Sequence, residues 1–270
     1  MTPPSGDGPE ALVARGDPER WRTVMAAPPA ARPGLLALYA FNLEIARAAW
    51  IVSEPLLAEI RLQWWRDAVA EIYEGVPPRR HEVVAPLAGT IAAADLPRRL
   101  FDEMIDARAG DADSAPCEDR TELDLYIDHT AGHLMELAAR HLGAEGAALP
   151  VVRDFARGAG TAALLRALPE HRARGRDPLP ALRARGRDPL PAGVAPSELA
   201  RDGIAALARA RARRARVPRS ALAALLPGWQ ADRVLEAAAT DPEAIAAARL
   251  EVSQVRARAG LTWRALSGRW

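Results

Sequence analysis

Apolar residues recur at helical spacing along nearly the whole chain, while the alternating β-branched and aromatic runs that a sheet needs are scarce. Leu100, Phe101, Met104 and Ile105 form one such stripe, and Leu123, Ile127, Thr130, Leu134 and Ala138 form another. The pattern predicts an all-α fold, a single-domain helical bundle. At 270 residues, 49% of them hydrophobic, the chain has enough apolar surface for one large core.

Proline and glycine punctuate the pattern and set the expected boundaries. Residues 1–9 read as a disordered start and 10–270 as the helical domain. One short helix is expected at about 10–25, followed by a strongly apolar one from Leu35 to Trp50. Ser53 and Pro55 start the next, with Leu57, Ile60, Trp64 and Ala68 as its inward face and Gly75 with Pro77 and Pro78 as its stop. Further helices are expected at about 82–93, 97–109, 121–142 with Thr121 and Asp124 as a capping box, and from Pro150 to Leu168. Residues 172–182, RARGRDPLPAL, recur at 183–193 as RARGRDPLPAG. The Asp-Pro-Leu-Pro stretch in each copy opposes helix, so the segment reads as a tandem duplication in a surface loop, where extra length costs little closure entropy. Beyond it, Ser197 would cap a helix reaching Val217, and Pro218, Pro227 and Pro242 divide the remainder.

Composition excludes several classes of function. The formal net charge is +1, which argues against a nucleic-acid binder. Lysine is absent, so the arginines reflect coding bias as much as a selected surface. The single cysteine, Cys117, has no disulfide or metal-ligand companion, and its neighbours Asp113, Glu118 and Asp119 disfavour a thiolate. A start rich in Pro, Gly and Asp, with no apolar run of membrane-spanning length, fits a cytoplasmic protein. Hydrolase elbow, P-loop and dinucleotide fingerprints are lacking.

Two Asp pairs at i,i+4 could in principle hold Mg²⁺ against a diphosphate, Asp102 with Asp106 and Asp124 with Asp128. The first pair lies opposite its helix's apolar stripe and reads as a solvated face. The second flanks its stripe and stands as a fallback pair. His129 and His133, with Glu136 beyond, read as a polar surface cluster alongside Arg140, so no metal site is expected apart from that fallback.

The segment LLALYAFNLEIARAAW, from Leu35, resembles the helix of squalene and phytoene synthases that begins L-Y-A-F and carries their first aspartate-rich motif. RLQWWRDAVAEIYEGVPP from Arg61, LDLYIDHTAGHLMELAARHLG from Leu123 and GAGTAALLRALPEHRARGRDPLP from Gly158 resemble further family blocks, in the family's order. The resemblance implies an isoprenoid-synthase bundle around a central cavity. It also implies head-to-head joining of two isoprenyl diphosphates on Mg²⁺ ions held by facing aspartates. Here those aspartates would fall near Ala46, Arg47 and Trp50, and at Ala167 and His171. The stretch AFNLEIA is similar to the divergent branch that lacks the aspartates and includes the mitochondrial assembly factor for respiratory complex I; Asn42 and Glu44 stand in its matching positions.

By this resemblance Tyr39, Asn42, Ala46, Trp50, Arg166, Ala167 and His171 line the cavity, and no catalytic residue or cofactor is expected. The reading is a non-catalytic or altered family member that binds an isoprenoid or quinone-like lipid, or a respiratory-complex subunit, with peripheral contact at the inner membrane compatible with it. The competing reading is an active prenyltransferase using Mg²⁺ on Asp124 and Asp128. A third is a pure interaction scaffold with a collapsed cavity.

Overall fold

The structure is a computed structural model, and it describes residues 8–51, 55–111, 117–174, 178–179, 195–241, 245, 260–264 and 267–270, with the side chains of 49–51 and 55 left aside. Among the described residues there is no strand. The helices are α1 (Pro9–Gly16), α2 (Pro18–Val24), α3 (Arg32–Ile51), α4 (Pro55–Tyr73), α5 (Val84–Ala94), α6 (Arg98–Ala109), α7 (Arg120–Ile127), α8 (His133–His141), α9 (Leu149–Ala173), α10 (Pro196–Ala212), α11 (Leu222–Leu225) and α12 (Ala231–Thr240). A π-helical turn, Asp128–Gly132, joins α7 to α8.

α3 is the central element. Residues 35–42 of this helix are all buried, as its near-continuous apolar sequence requires. It packs against α1, α4, α5, α6 and α8. Phe41 anchors the α3, α4 and α6 junction with edge-to-face contacts to Trp65 and Phe101, each at a centroid distance of 5.4 Å. α8 is enclosed in turn by α3, α5, α6, α9 and α11, so residues 133–139 are buried on every side.

α9 and α10 form the second half of the bundle, with α12 against both. Their close approach depends on glycine: a Cβ at Gly158 would lie 2.6 Å from Leu207 and 2.8 Å from the carbonyl oxygen of Gly203. Gly160 similarly admits Ala131 of the π turn, 2.6 Å from where its Cβ would be.

Several boundaries differ from the sequence reading. The first helix is two, because Asp17 leaves helical geometry and its carboxylate accepts the Arg20 N–H at 2.9 Å, capping α2 with Pro18 behind it. Asp119, not Thr121, caps α7, accepting from the Glu122 N–H. Ser197 lies inside α10, whose N-cap Ala195 offers no side chain. α4 turns a different face inward: Ala58, Leu62, Trp65, Ala68 and Val69 are buried, whereas Leu57 and Ile60 are 44% and 56% exposed. The expected stripe and the true one are both helical, and only the position of the neighbouring helices separates them.

The duplicated segment begins inside α9, which passes through Pro169 and takes in Arg172 and Ala173. Pro178 and Leu179 are placed against the bundle, with Leu179 buried and the Cys117 N–H donating to the Pro178 carbonyl. Beyond Arg174, and apart from Pro178 and Leu179, the rest of the repeat falls outside the described residues, as do residues 1–7 and the stretch around Leu250.

Replacing Gly158 by Ala forces a methyl into Leu207 and the α10 backbone and is expected to cost about 1–3 kcal/mol. A Cβ added at Gly89, within α5, would meet nothing within 4 Å. Gly89→Ala is therefore expected to be neutral or to stabilise by up to about 1 kcal/mol. Thermal denaturation of the two variants, with opposite signs expected, checks the close packing.

Candidate functional site

The positions that carry metal-binding aspartates in the resembled enzymes sit on α3 and α9, and α8 packs against both helices. On α3, Tyr39 is buried, with the Arg20 guanidinium 5.2 Å from its ring centroid and its hydroxyl without a hydrogen-bond partner. Burial pushes its phenol up to about 12, so it stays protonated. Asn42 is buried and Ala46 half-buried one turn further along. Arg47 is directed at α1, where Gly16 makes room for it: a Cβ there would sit 2.4 Å from the guanidinium. Trp50 lies in the helix, and its side chain falls outside the described set.

On α9, Ala167 and His171 are half-buried. Arg166 does not face the interior as expected: it is exposed and pairs at 2.9 Å with Glu19 of α2, over a shallow 40 Å³ pocket lined by Ala159, Ala163 and Gly228. The 25-residue α9 turns through about 100° per residue, so a side chain one place before Ala167 leaves on a different face. Two larger cavities, of 350 and 560 Å³, open around Trp270 and Arg264, away from these positions.

The structure instead brings together an arginine–carboxylate lattice along α7, the π turn, α8 and α9. Arg153 of α9 donates from Nε to Glu136 and from Nη1 to Asp128, both at 2.5 Å. Arg140 holds the other oxygen of Glu136 at 2.8 Å. Asp124 is shared by Arg120 at 2.9 Å and Arg157 at 3.1 Å, and Arg120 continues to Asp202 of α10 at 2.8 Å. The fallback pair is thus already engaged by cations: both oxygens of Asp124 meet guanidinium groups, Arg120 and Arg157, and one oxygen of Asp128 meets Arg153. Asp102 and Asp106 face outward, paired with Arg98 and Arg66.

Glu136 is the only buried carboxylate among the described residues. Burial alone would raise its pKa; the Arg153 and Arg140 hydrogen bonds outweigh that and hold it below the usual carboxylate range.

The two histidines correct the sequence reading. His133 does not project to a polar surface; it is 1% exposed, because α8 has no solvent face. Its Nε2 lies 2.5 Å from Glu103 Oε2 of α6, and its ring centroid lies 4.9 Å from that of His129, with the two rings tilted by 37°. Sequence reasoning missed Glu103 and Arg153 because both come from other helices. The available signal was Glu103's place beside Met104, on the margin of the buried stripe of α6. Cys117 behaves as expected of a thiol remote from cations: burial and Glu122 push it up to about 11.

Glu136→Gln leaves Arg153 and Arg140 facing a neutral amide, and is expected to lower stability by about 3 kcal/mol at neutral pH. Because the native carboxyl titrates below its unfolded value of about 4.5, its contribution is complete above that pH and disappears as pH falls through the native pKa. Denaturant unfolding should therefore show wild type and variant converging in strongly acidic solution.

Comparison with known proteins fits this architecture. Residues 13–259 match the family model for squalene/phytoene synthase. The chain is 30% identical over 167 residues to NADH dehydrogenase (ubiquinone) complex I, assembly factor 6 of Bos taurus, covering 61% of this chain and 50% of that one. It is 32% identical over 119 residues to presqualene diphosphate synthase of Rhodopseudomonas palustris, covering 43% and 41%. The chain thus spans about half the length or less of these curated relatives. Among solved structures, a dehydrosqualene synthase superposes with TM-score 0.74 at 16% identity, over 96% of this chain and 94% of that one. The squalene synthase HpnC from Alicyclobacillus acidocaldarius gives 0.70 at 16% identity, over 85% and 91%, which establishes the shared fold. With the family model matched over most of its length, this chain belongs to the squalene/phytoene synthase family.

Proposed function

We propose that this protein is a member of its family without diphosphate-condensing activity, and that it assists assembly of a respiratory complex by binding a subunit of that complex or an isoprenoid or quinone-like lipid. The observation that carries the reading is electrostatic. Head-to-head condensation requires carboxylates free to gather Mg²⁺ around a leaving diphosphate. Here the corresponding positions are Ala46, Arg47, Trp50, Ala167 and His171, and the nearby acids Asp124, Asp128 and Glu136 are each tied to arginine. The resemblance to complex I assembly factor 6 in several animals supports the assembly role. No helix of the described residues is long and apolar enough to cross a membrane, and the reading takes contact with a respiratory complex as peripheral.

Purified protein given farnesyl or geranylgeranyl diphosphate with Mg²⁺ is expected to release no diphosphate above buffer. Deleting the gene should reduce assembled NADH:quinone oxidoreductase on native gels, with rescue by wild type and by Asp128→Ala alike. Mg²⁺-dependent diphosphate release that disappears in Asp128→Ala would overturn the proposal in favour of a prenyltransferase. Mass spectrometry of lipid extracted from the purified chain separates the two binding modes: a co-purified prenyl chain supports a lipid carrier, and its absence a protein-binding scaffold.

A further inference from the structure

The cluster of Glu103, His129 and His133 has no part in the lattice above or in the positions of the family's aspartates. One ring nitrogen from each histidine and one carboxylate oxygen lie within 4.8 Å of one another, and the shortest pair is 2.5 Å apart. Ligands at about 2.0–2.1 Å from a tetrahedral zinc ion stand roughly 3.3 Å apart. That spacing lies between the shortest separation in the cluster, 2.5 Å, and its upper bound of 4.8 Å.

The positioning follows from the backbone. His129 and His133 are four residues apart across the π turn, so they share a face, and α6 packs against both that turn and α8. His133 is buried; its Nε2 is taken by Glu103, and its other ring nitrogen, Nδ1, meets no hydrogen-bond partner among the described residues. His129 is half-buried and has no hydrogen-bond partner among the described residues, which leaves its ring available for a ligand bond.

We propose that Glu103, His129 and His133 bind a divalent first-row transition metal, with Zn²⁺ the best-fitting ion. Two imidazoles and one carboxylate suit zinc better than Mg²⁺, which prefers oxygen ligands. The remaining coordination position is left to water. The competing cation is Arg99, which contacts both Glu103 oxygens at 2.8 Å. Its side chain is 66% exposed, and such an ion pair is weak enough to yield to a metal. Binding would clamp α6 to the junction of α7 and α8. The inference is independent of whether the protein condenses prenyl diphosphates.

The test uses tag-free full-length protein dialysed against EDTA, then titrated with ZnCl₂ by calorimetry and assayed for metal after gel filtration. One Zn²⁺ per chain is expected, with a higher melting temperature and no comparable response to Mg²⁺. His129→Ala and Glu103→Gln should each weaken binding by more than about a hundredfold, beyond the roughly 10–100-fold that loss of an outer-shell partner typically costs. Asp102→Asn, on the outward face of α6, should bind as wild type. Co²⁺-loaded wild type should show visible tetrahedral absorption that His129→Ala lacks, and metal-free circular dichroism confirms that the variants fold. Failure of folded wild type to retain Zn²⁺, or undiminished binding by His129→Ala, would overturn the proposal.

Discussion

A carboxylate stays ionised inside a protein only if cations or hydrogen-bond donors offset its desolvation, and α8 depends on that constraint. The helix is enclosed by five others, and Glu136 is left only 5% exposed. Arg153 from α9 and Arg140 from its own helix supply the charge and the hydrogen bonds that offset its desolvation. Arg153 also reaches Asp128 in the π turn, and so fixes α9 against the segment where the helical phase changes. The aromatic junction around Phe41 and the glycine-mediated contact of α9 with α10 then build outward on either side of this core.

The same lattice bears on chemistry. Carboxylates that gather divalent ions around a diphosphate must be free of other cations. Along α7 to α9 the acids and arginines are instead matched to one another, through Asp124 with Arg120 and Arg157, and Asp128 and Glu136 with Arg153. The scaffold keeps its helices because their packing relies on apolar stripes and small residues, and neither requires the metal. Fold and catalytic apparatus are thereby separable, which is why membership of the squalene/phytoene synthase family carries the fold and not, by itself, the activity.

Much of the fold is legible in the residues alone. The stripes of α6 and of α7–α8 stand out position by position, and each of their members is buried. Errors fall where local rules tie. α4 carries apolar residues on more than one face, so Leu57 and Ile60 compete on equal terms with Leu62 and Trp65 for the inward position. Asp119 caps α7 in place of the expected Thr121, and Asp17 divides the expected single first helix, because a carboxylate accepts from a backbone N–H wherever the chain turns toward it. The candidate site is less legible. His133 and Glu136 look solvent-facing since polar residues usually are, and only an enclosing ring of helices reverses that default.

The helical class and the main breaks are already present in the one-dimensional chain, because periodicity and proline act locally. Which polar side chains meet is a matter of the assembled bundle instead. Glu103 and His133, 30 residues apart, and Arg153 with Glu136 and Asp128, are joined by helix packing that no local signal encodes. The energy of a buried charge is set by its partners in space, and those partners exist only once the bundle has closed.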